Sequence, residues 1–264
     1  MLRTRIIPCL LVRNKGLVKT VKFGASKYIG DPINVVKIFN EKEADELIVL
    51  DIDATINDIP PNFVMIQKLA AECRMPLCYG GGVKTVAQAK KIISFGVEKV
   101  AISSEAIINP HLISSIANEI GSQSVVVVLD VKKSLFGKYE VFTHNGKKKT
   151  GCTPVELAIR AEKLGAGEIV INSIDQDGMM QGYDLALATI LRNAITIPMT
   201  VIGGAGSLED IEKLVMECGV IGAAAGSIFV FKGSYKAVLI NYPNSTIKDE
   251  LLLPSTKFTK SLIW

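Results

Sequence analysis

Val125-Val126-Val127-Val128-Leu129-Asp130 is an unbroken apolar run that ends on a carboxylate. A strand with one wet face alternates polar and apolar residues, so a run that is apolar throughout suits a strand covered on both faces, as in a parallel sheet sheathed by helices. Similar short runs recur along the chain: Arg5 to Val12, Leu47 to Asp51, Leu77 to Tyr79, Lys99 to Ile102, Ser124 to Asp130, Glu168 to Asn172, Met199 to Ile202 and Val220 to Ala224. Helix-length amphipathic segments separate them, the pattern of consecutive βαβ units. Helix starts are marked by Asp31 before Pro32, Asn109 before Pro110, Thr85, Thr153 before Pro154, and Ser207 followed by Glu209 and Asp210. Thr85 is a capping side chain alone; the others pair one with a proline, whose missing N–H costs nothing there, or with acids favoured by the helix dipole. Eight such units most simply close into a (βα)8 barrel, an α/β fold; an open doubly wound sheet is the alternative.

The chain also repeats itself. Gly80-Gly81-Gly82 after the third strand and Gly203-Gly204-Ala205-Gly206 after the seventh are 123 residues apart, as are Ser103-Ser104 and Gly226-Ser227 after the fourth and eighth. Asp51 and Asp175 are separated by 124. Two similar half-barrels explain the shared offset, which unrelated tight turns would not. In each half a glycine turn and a small hydroxyl-bearing turn come to the rim where barrel enzymes place their sites. Glycine admits close backbone approach and exposes N–H groups, so each half is expected to cradle a phosphate: Gly81, Gly82, Ser103 and Ser104 in the first, Gly203, Gly204, Ala225, Gly226 and Ser227 in the second. Plain tight turns are the structural alternative.

Two carboxylates stand out at the same rim. Asp130 ends a buried run, where desolvation raises a carboxyl pKa into a range useful for acid/base work, and Asp177 follows the sixth strand. Either could instead be a helix cap. Half-barrel symmetry calls for a partner to Asp130 near the end of the first strand, and that position is Leu11. At the opposite end, Arg5, Glu46, Lys99 and Glu168 begin strands one, two, four and six, so charges of alternating sign converge at the barrel floor, as structural neutralisation or as a gate to the interior.

Composition bounds the class. With 48% hydrophobic and 21% charged residues and a net charge of +4, the chain reads as an ordinary globular protein whose cations are interleaved with acids, without a nucleic-acid stripe. The run Lys147-Lys148-Lys149 is a solvated loop face or a steering patch for anions. Cys9, Cys73, Cys78, Cys152 and Cys218 show no CxxC or Cys/His spacing, so free thiols in a reducing, cytoplasmic setting are expected, with no metal and no cofactor. The apolar stretch Ile6 to Val12 is too short for a membrane span and lacks a leader's cleavage signal. The barrel is expected over residues 1–240, with a tail from 241 to 264 carrying Leu251, Leu252, Leu253 and Trp264.

The stretches Arg5-Ile6-Ile7-Pro8-Cys9-Leu10, Gly30-Asp31-Pro32, Asp45-Glu46-Leu47, Leu50-Asp51-Ile52, Gly80-Gly81-Gly82, Gly121 to Val127, Thr150-Gly151, Gly165-Ala166-Gly167-Glu168 and Ser173-Ile174-Asp175-Gln176-Asp177-Gly178 together resemble the cyclase subunit of imidazole glycerol phosphate synthase. The resemblance covers about residues 1–240. It implies a glutaminase partner docked on the N-terminal face of the barrel, with ammonia passing through the barrel to a bisphosphate substrate at the rim. It also implies a catalytic Lys19 in the loop after the first strand, a catalytic Asp130, phosphate turns that include Asp177 and Gly178, and an ammonia gate of Arg5, Glu46, Lys99 and Glu168.

The chain departs from that pattern where the family's first catalytic aspartate falls on Leu11, and where Ser103-Ser104 replaces a typical Asn-Thr. Cys78-Tyr79 before the glycines also suggests a reshaped pocket. These departures resemble paralogues of surface-polysaccharide and glycan pathways, which are thought to pass ammonia to a sugar nucleotide and turn an acetamido group into an acetamidino group. No ring closes in that chemistry, so a second acid is dispensable. The other readings are the histidine-pathway cyclase and a non-catalytic scaffold that activates the glutaminase.

Overall fold

The structure, a computed structural model, describes residues 3–134 and 136–258, with side chains as far as residue 251. Among these residues, eight parallel strands form a ring: β1 (Arg5–Arg13), β2 (Leu47–Asp51), β3 (Leu77–Gly80), β4 (Lys99–Ile102), β5 (Val125–Lys133), β6 (Glu168–Ser173), β7 (Met199–Ile202) and β8 (Gly222–Ala225). β5 pairs with β6 through Asp130↔Asn172, and β8 returns to β1 through Ile6↔Ala223, which closes the (βα)8 barrel and excludes the open sheet. Around it lie α1 (Pro32–Glu41), α2 (Phe63–Glu72), α3 (Val86–Ser94), α4 (His111–Ile120), α5 (Pro154–Lys163), α6 (Leu185–Arg192), α7 (Leu208–Cys218) and α8 (Ser245–Phe258).

The helix starts obey local chemistry. Asp31 accepts from Asn34 N–H ahead of Pro32, while Thr85 with Gln88 and Thr153 with Glu156 close reciprocal capping boxes. The Asp210 carboxylate takes the N–H groups of Gly206 and Ser207 at the start of α7. Asn109 differs from expectation. It ends an unforeseen short helix, Ser104–Ile108, by donating its N–H to Glu105 O, and Pro110 stands at the cap of α4 with no side-chain bond.

Strand residues alternate between two apolar compartments, as the period of two requires. On β5, Val125, Val127, Leu129 and Val131 face the helices, whereas Val126 and Val128 join Ile7, Cys9, Ile48, Cys78, Ala101, Val170, Ile202 and Ala224 inside the barrel. Asp130 is in phase with Val126 and Val128, and Asn172 with Val170, so both belong to the interior face at its upper end. Glu168 is in the same phase at the lower end of β6, as Arg5 is on β1. One alternation therefore sets both the rim site and the floor.

Three features went beyond the sequence reading. Hairpin strands Gly16–Thr20 with Ser26–Gly30, and Tyr139–Thr143 with Lys148–Lys149, rise over the rim from β1 and β5. The stretch set apart as a tail from 241 contains the barrel's eighth helix, α8, which packs beside α7, so a boundary at residue 240 cuts the last βα unit. Buried Tyr242 ties that unit to the floor: its hydroxyl donates to Ile6 O at 2.8 Å and accepts from Asp45 N–H at 3.1 Å, between the rings of Phe39 and Phe229. Leu251 packs partly buried on the core, while the side chains of Leu252 and Leu253 and all of Trp264 lie outside the described residues.

Candidate active site

A cavity of about 370 Å³ opens at the C-terminal ends of the strands. Its wall holds Lys19, Asp130 and Asp177 together with both sets of expected phosphate turns. Asp130 accepts a hydrogen bond from Asn172 Nδ2 at 3.0 Å. Burial dominates its titration and pushes its pKa up to about 7, although the Asn172 bond pulls the other way. A carboxyl poised there gives and takes protons readily near neutral pH. Leu11, in the same interior phase on β1, lines the cavity where the symmetric acid would stand. Asp51 also lines it; burial raises its pKa, and it accepts the N–H groups of Asp53 and Ala54 at 3.1 and 3.2 Å.

The two halves build their turns alike. Gly81 and Gly203 have φ of +122° and +97°, a region side chains rarely enter, and each sits against the carbonyl that ends the preceding strand or its neighbour. A Cβ on Gly81 would stand 2.5 Å from Asp51 O, and one on Gly203 would stand 2.7 Å from Ser173 O. Gly82 and Gly204 repeat the crowding against Ile59 O and Gly182 O. Ser103 and Ser104 in the first half, and Ala225, Gly226 and Ser227 in the second, complete the wall opposite these turns. Ser103 Oγ is buried without a hydrogen-bond partner among the described residues.

Lys19 and Asp177, 158 residues apart, meet on the second half's side of the cavity. Lys19 donates to Asp177 Oδ1 at 2.6 Å and to Thr20 O at 2.8 Å, while Asp177 Oδ2 accepts from Thr20 Oγ1 and Phe23 N–H at 2.7 and 3.2 Å. With three donors on its carboxylate, Asp177 anchors the β1 hairpin at the cavity wall. Gly226 makes room for the arrangement, since a Cβ there would lie 3.0 Å from Lys19 Cε. Gly178 packs tightly on the same hairpin at Thr20 O. On the first half's side, Lys84, His144 and Lys148 add basic groups to the mouth, so one lysine of the 147–149 run faces the site.

At the other end of the interior the four floor charges converge. Lys99 Nζ donates to Glu46 Oε1 at 2.7 Å and Glu168 Oε2 at 2.9 Å; Arg5 donates to Glu46 and, at 2.8 Å, to Glu168 Oε1. Thr200 Oγ1 adds a bond to Glu168 at 2.5 Å. Burial favours a protonated Glu168, but the Arg5 and Lys99 charges override it and hold the carboxyl well below its usual range. Between ring and rim lies the apolar interior described above, which crosses the barrel from Cys78 near the ring to Cys9 beneath Asp130 and Lys19.

A family model described as "Histidine biosynthesis protein" matches residues 5–236. The "Putative imidazole glycerol phosphate synthase subunit HisF" of Leptospira interrogans is 58% identical over 252 residues, 95% of this chain and 99% of that protein. A counterpart in Vibrio vulnificus, named hisF3, is 57% identical over 253 residues, covering 96% and 97%. The HisF subunit of Alkaliphilus metalliredigens is 41% identical over 229 residues, covering 87% and 91%. The chain belongs to the HisF family.

Within a HisF-family barrel, every residue of the two expected phosphate turns lies on one cavity, although Asp175 and Gly206 of the repeat do not line it, while the ring residues lie at the far end of the interior. Sequence reading missed Asn172, Arg13, His144 and Asn145 as cavity residues. Asn172 was legible in principle, because it is in phase with Val170 and in register with Asp130. His144 and Asn145 come from a hairpin that no apolar pattern announced. Among the described residues no helix is long and apolar enough to cross a membrane.

Proposed function

We propose that this chain is the ammonia-accepting synthase subunit of a two-component glutamine amidotransferase, and that its acceptor is a phosphorylated sugar or sugar nucleotide in glycan biosynthesis. The observation that carries the reading is Leu11 on the cavity wall, where the barrel's symmetry calls for an acid to match Asp130, whose pKa is raised to about 7. A ring-closing cyclase needs proton transfer at two places, and leucine cannot supply the second. Amidination of an acetamido group needs less: ammonia adds to the carbonyl carbon, and water leaves as the nitrogen keeps its place. Two protons pass from the incoming nitrogen to the departing oxygen, one as the tetrahedral adduct forms and one as water leaves, and Asp130 relays each in turn.

The remaining parts fit this chemistry. The apolar interior between ring and rim offers neutral ammonia a dry path, and Arg5, Glu46, Lys99 and Glu168 close its lower end until a glutaminase docks on the N-terminal face. The glycine turns of both halves hold two phosphate groups, the second with Gly178, and Lys19, tethered by Asp177, lies within reach of the substrate from the second half's side. Buried thiols such as Cys9 and Cys78 accord with a reducing cytoplasm.

The names of the relatives favour a second reading, in which the chain forms imidazole glycerol phosphate and an aminoimidazole carboxamide ribonucleotide from a phosphoribulosyl formimino precursor. Complementation of a histidine auxotroph lacking the cyclase separates the two. Growth equal to that given by a genuine cyclase overturns the glycan reading. Ammonium chloride supplied with acetamido-sugar nucleotides, read by mass spectrometry, tests activity directly; Asp130-dependent product also excludes a pure scaffold.

A further inference from the structure

Asn172 is 7% exposed, and only part of its hydrogen-bonding capacity is used. Its Nδ2 donates to Asp130, while its Oδ1 is buried with no partner among the described residues. The orientation has a chemical cause, because an ionised carboxylate only accepts and so draws the NH2 end of the amide towards itself. The carbonyl oxygen is left facing the turn after β7, where a Cβ built on Gly203 would stand 3.3 Å from it. Both residues line the cavity. Buried acceptors in folded proteins nearly always find a donor, in the protein or in what it binds, and here the missing side chain of Gly203 keeps the approach open.

We propose that Asn172 reads the acceptor substrate: its Oδ1 accepts a hydrogen bond from a hydroxyl or N–H group carried close to the phosphate in the second half's turns, while its Nδ2 holds Asp130 towards the same molecule. This rests on the phosphate reading above and narrows it. The substrate class is a polyol or amino-sugar phosphate, and a bare phosphate ester lacks the group that Asn172 reads. Asn172 is thus a specificity residue through one end of its amide and a positioning residue through the other.

The test uses two probes on the full chain, sn-glycerol 3-phosphate and methyl phosphate, with affinities measured by calorimetry. Wild type is expected to prefer the glycerol ester about 5-fold, the value of one neutral hydrogen bond, and Asn172→Leu to bind both alike. Asn172→Ser, whose hydroxyl is too short to reach the Gly203 side, shows the same loss and carries the test should the leucine variant not fold. A preference undiminished in the variants, or absent from wild type, overturns the proposal. Failure of wild type to bind either probe overturns the phosphate reading itself, and this inference with it. Carbon NMR of the Asp130 carboxyl gives a readout that needs no ligand: losing the Nδ2 donor moves its titration midpoint upward in Asn172→Leu, and an unmoved midpoint refutes the positioning half.

Discussion

Replacing Lys99 by methionine removes the floor's central cation and keeps most of its length. Two charge-assisted bonds are lost, at 2.7 and 2.9 Å, from carboxylates whose side chains are only 4% and 5% exposed. Arg5 is left as the only ring cation for both Glu46 and Glu168. Breaking a buried ion pair from one side costs about 3–5 kcal/mol, and for a domain of this size that corresponds to a fall in Tm of roughly 6–20 °C. The loss depends on pH in a defined direction. A carboxyl held below its unfolded value adds stability that is complete above that value, about 4.3, and disappears as pH falls through the folded one. Without Lys99 the folded pKa of Glu168 rises towards the unfolded value. The deficit of Lys99→Met is therefore largest at neutral pH and narrows below about pH 4. Thermal melts and urea titrations of both proteins at pH 7.5 and pH 3 measure it. A loss under about 1 kcal/mol at pH 7.5, or one unchanged at pH 3, would refute the view that the ring is a tight, desolvated charge cluster.

The same Lys99→Met protein, once reconstituted with its glutaminase, is expected to lose efficiency with glutamine while activity on free ammonium chloride changes much less; equal losses indicate a purely structural ring. Asp130→Asn should reduce kcat/KM by about 10² to 10⁴. In wild type, kcat/KM should rise with pH through about 7 as Asp130 ionises to become the base, a limb that the variant lacks and that a flat wild-type profile would contradict. Tyr242→Phe removes a buried hydroxyl that joins Ile6 O to Asp45 N–H, and equilibrium unfolding should show about 1–2 kcal/mol lost with activity retained. Gly203→Ala forces a side chain into φ +97° against Ser173 O, so phosphate binding measured by calorimetry should weaken at least tenfold; unchanged affinity would remove that turn from the cradle.

What the sequence determined by itself was whatever depends on neighbours along the chain. Strand identity follows from apolar runs such as Val125 to Leu129, helix starts from caps such as Thr85 and Thr153, and the half-barrel repeat from the offset between Gly80 and Gly203. Because Arg5, Glu46, Lys99 and Glu168 begin their strands and Asp130 ends one, the four could be assigned to the floor and Asp130 to the rim from the sequence alone. α8 escaped notice because Leu251, Leu252 and Leu253 are bunched and followed by Pro254, so the spacing of an amphipathic helix is missing; the helix is held by its place beside α7 and by Tyr242. The contacts of Asp177 were decided only by tertiary structure, since Lys19 lies 158 residues away on a hairpin that folds over the mouth. The pairing of Asn172 with Asp130 likewise depends on β5 meeting β6, while the burial that raises the Asp130 pKa against that bond depends on closure of the barrel. Local chemistry fixes which residues are apolar and where the chain turns, but the burial that shifts the Asp130 carboxyl and the ion pair of Lys19 with Asp177 arise only when distant parts of the chain close around them.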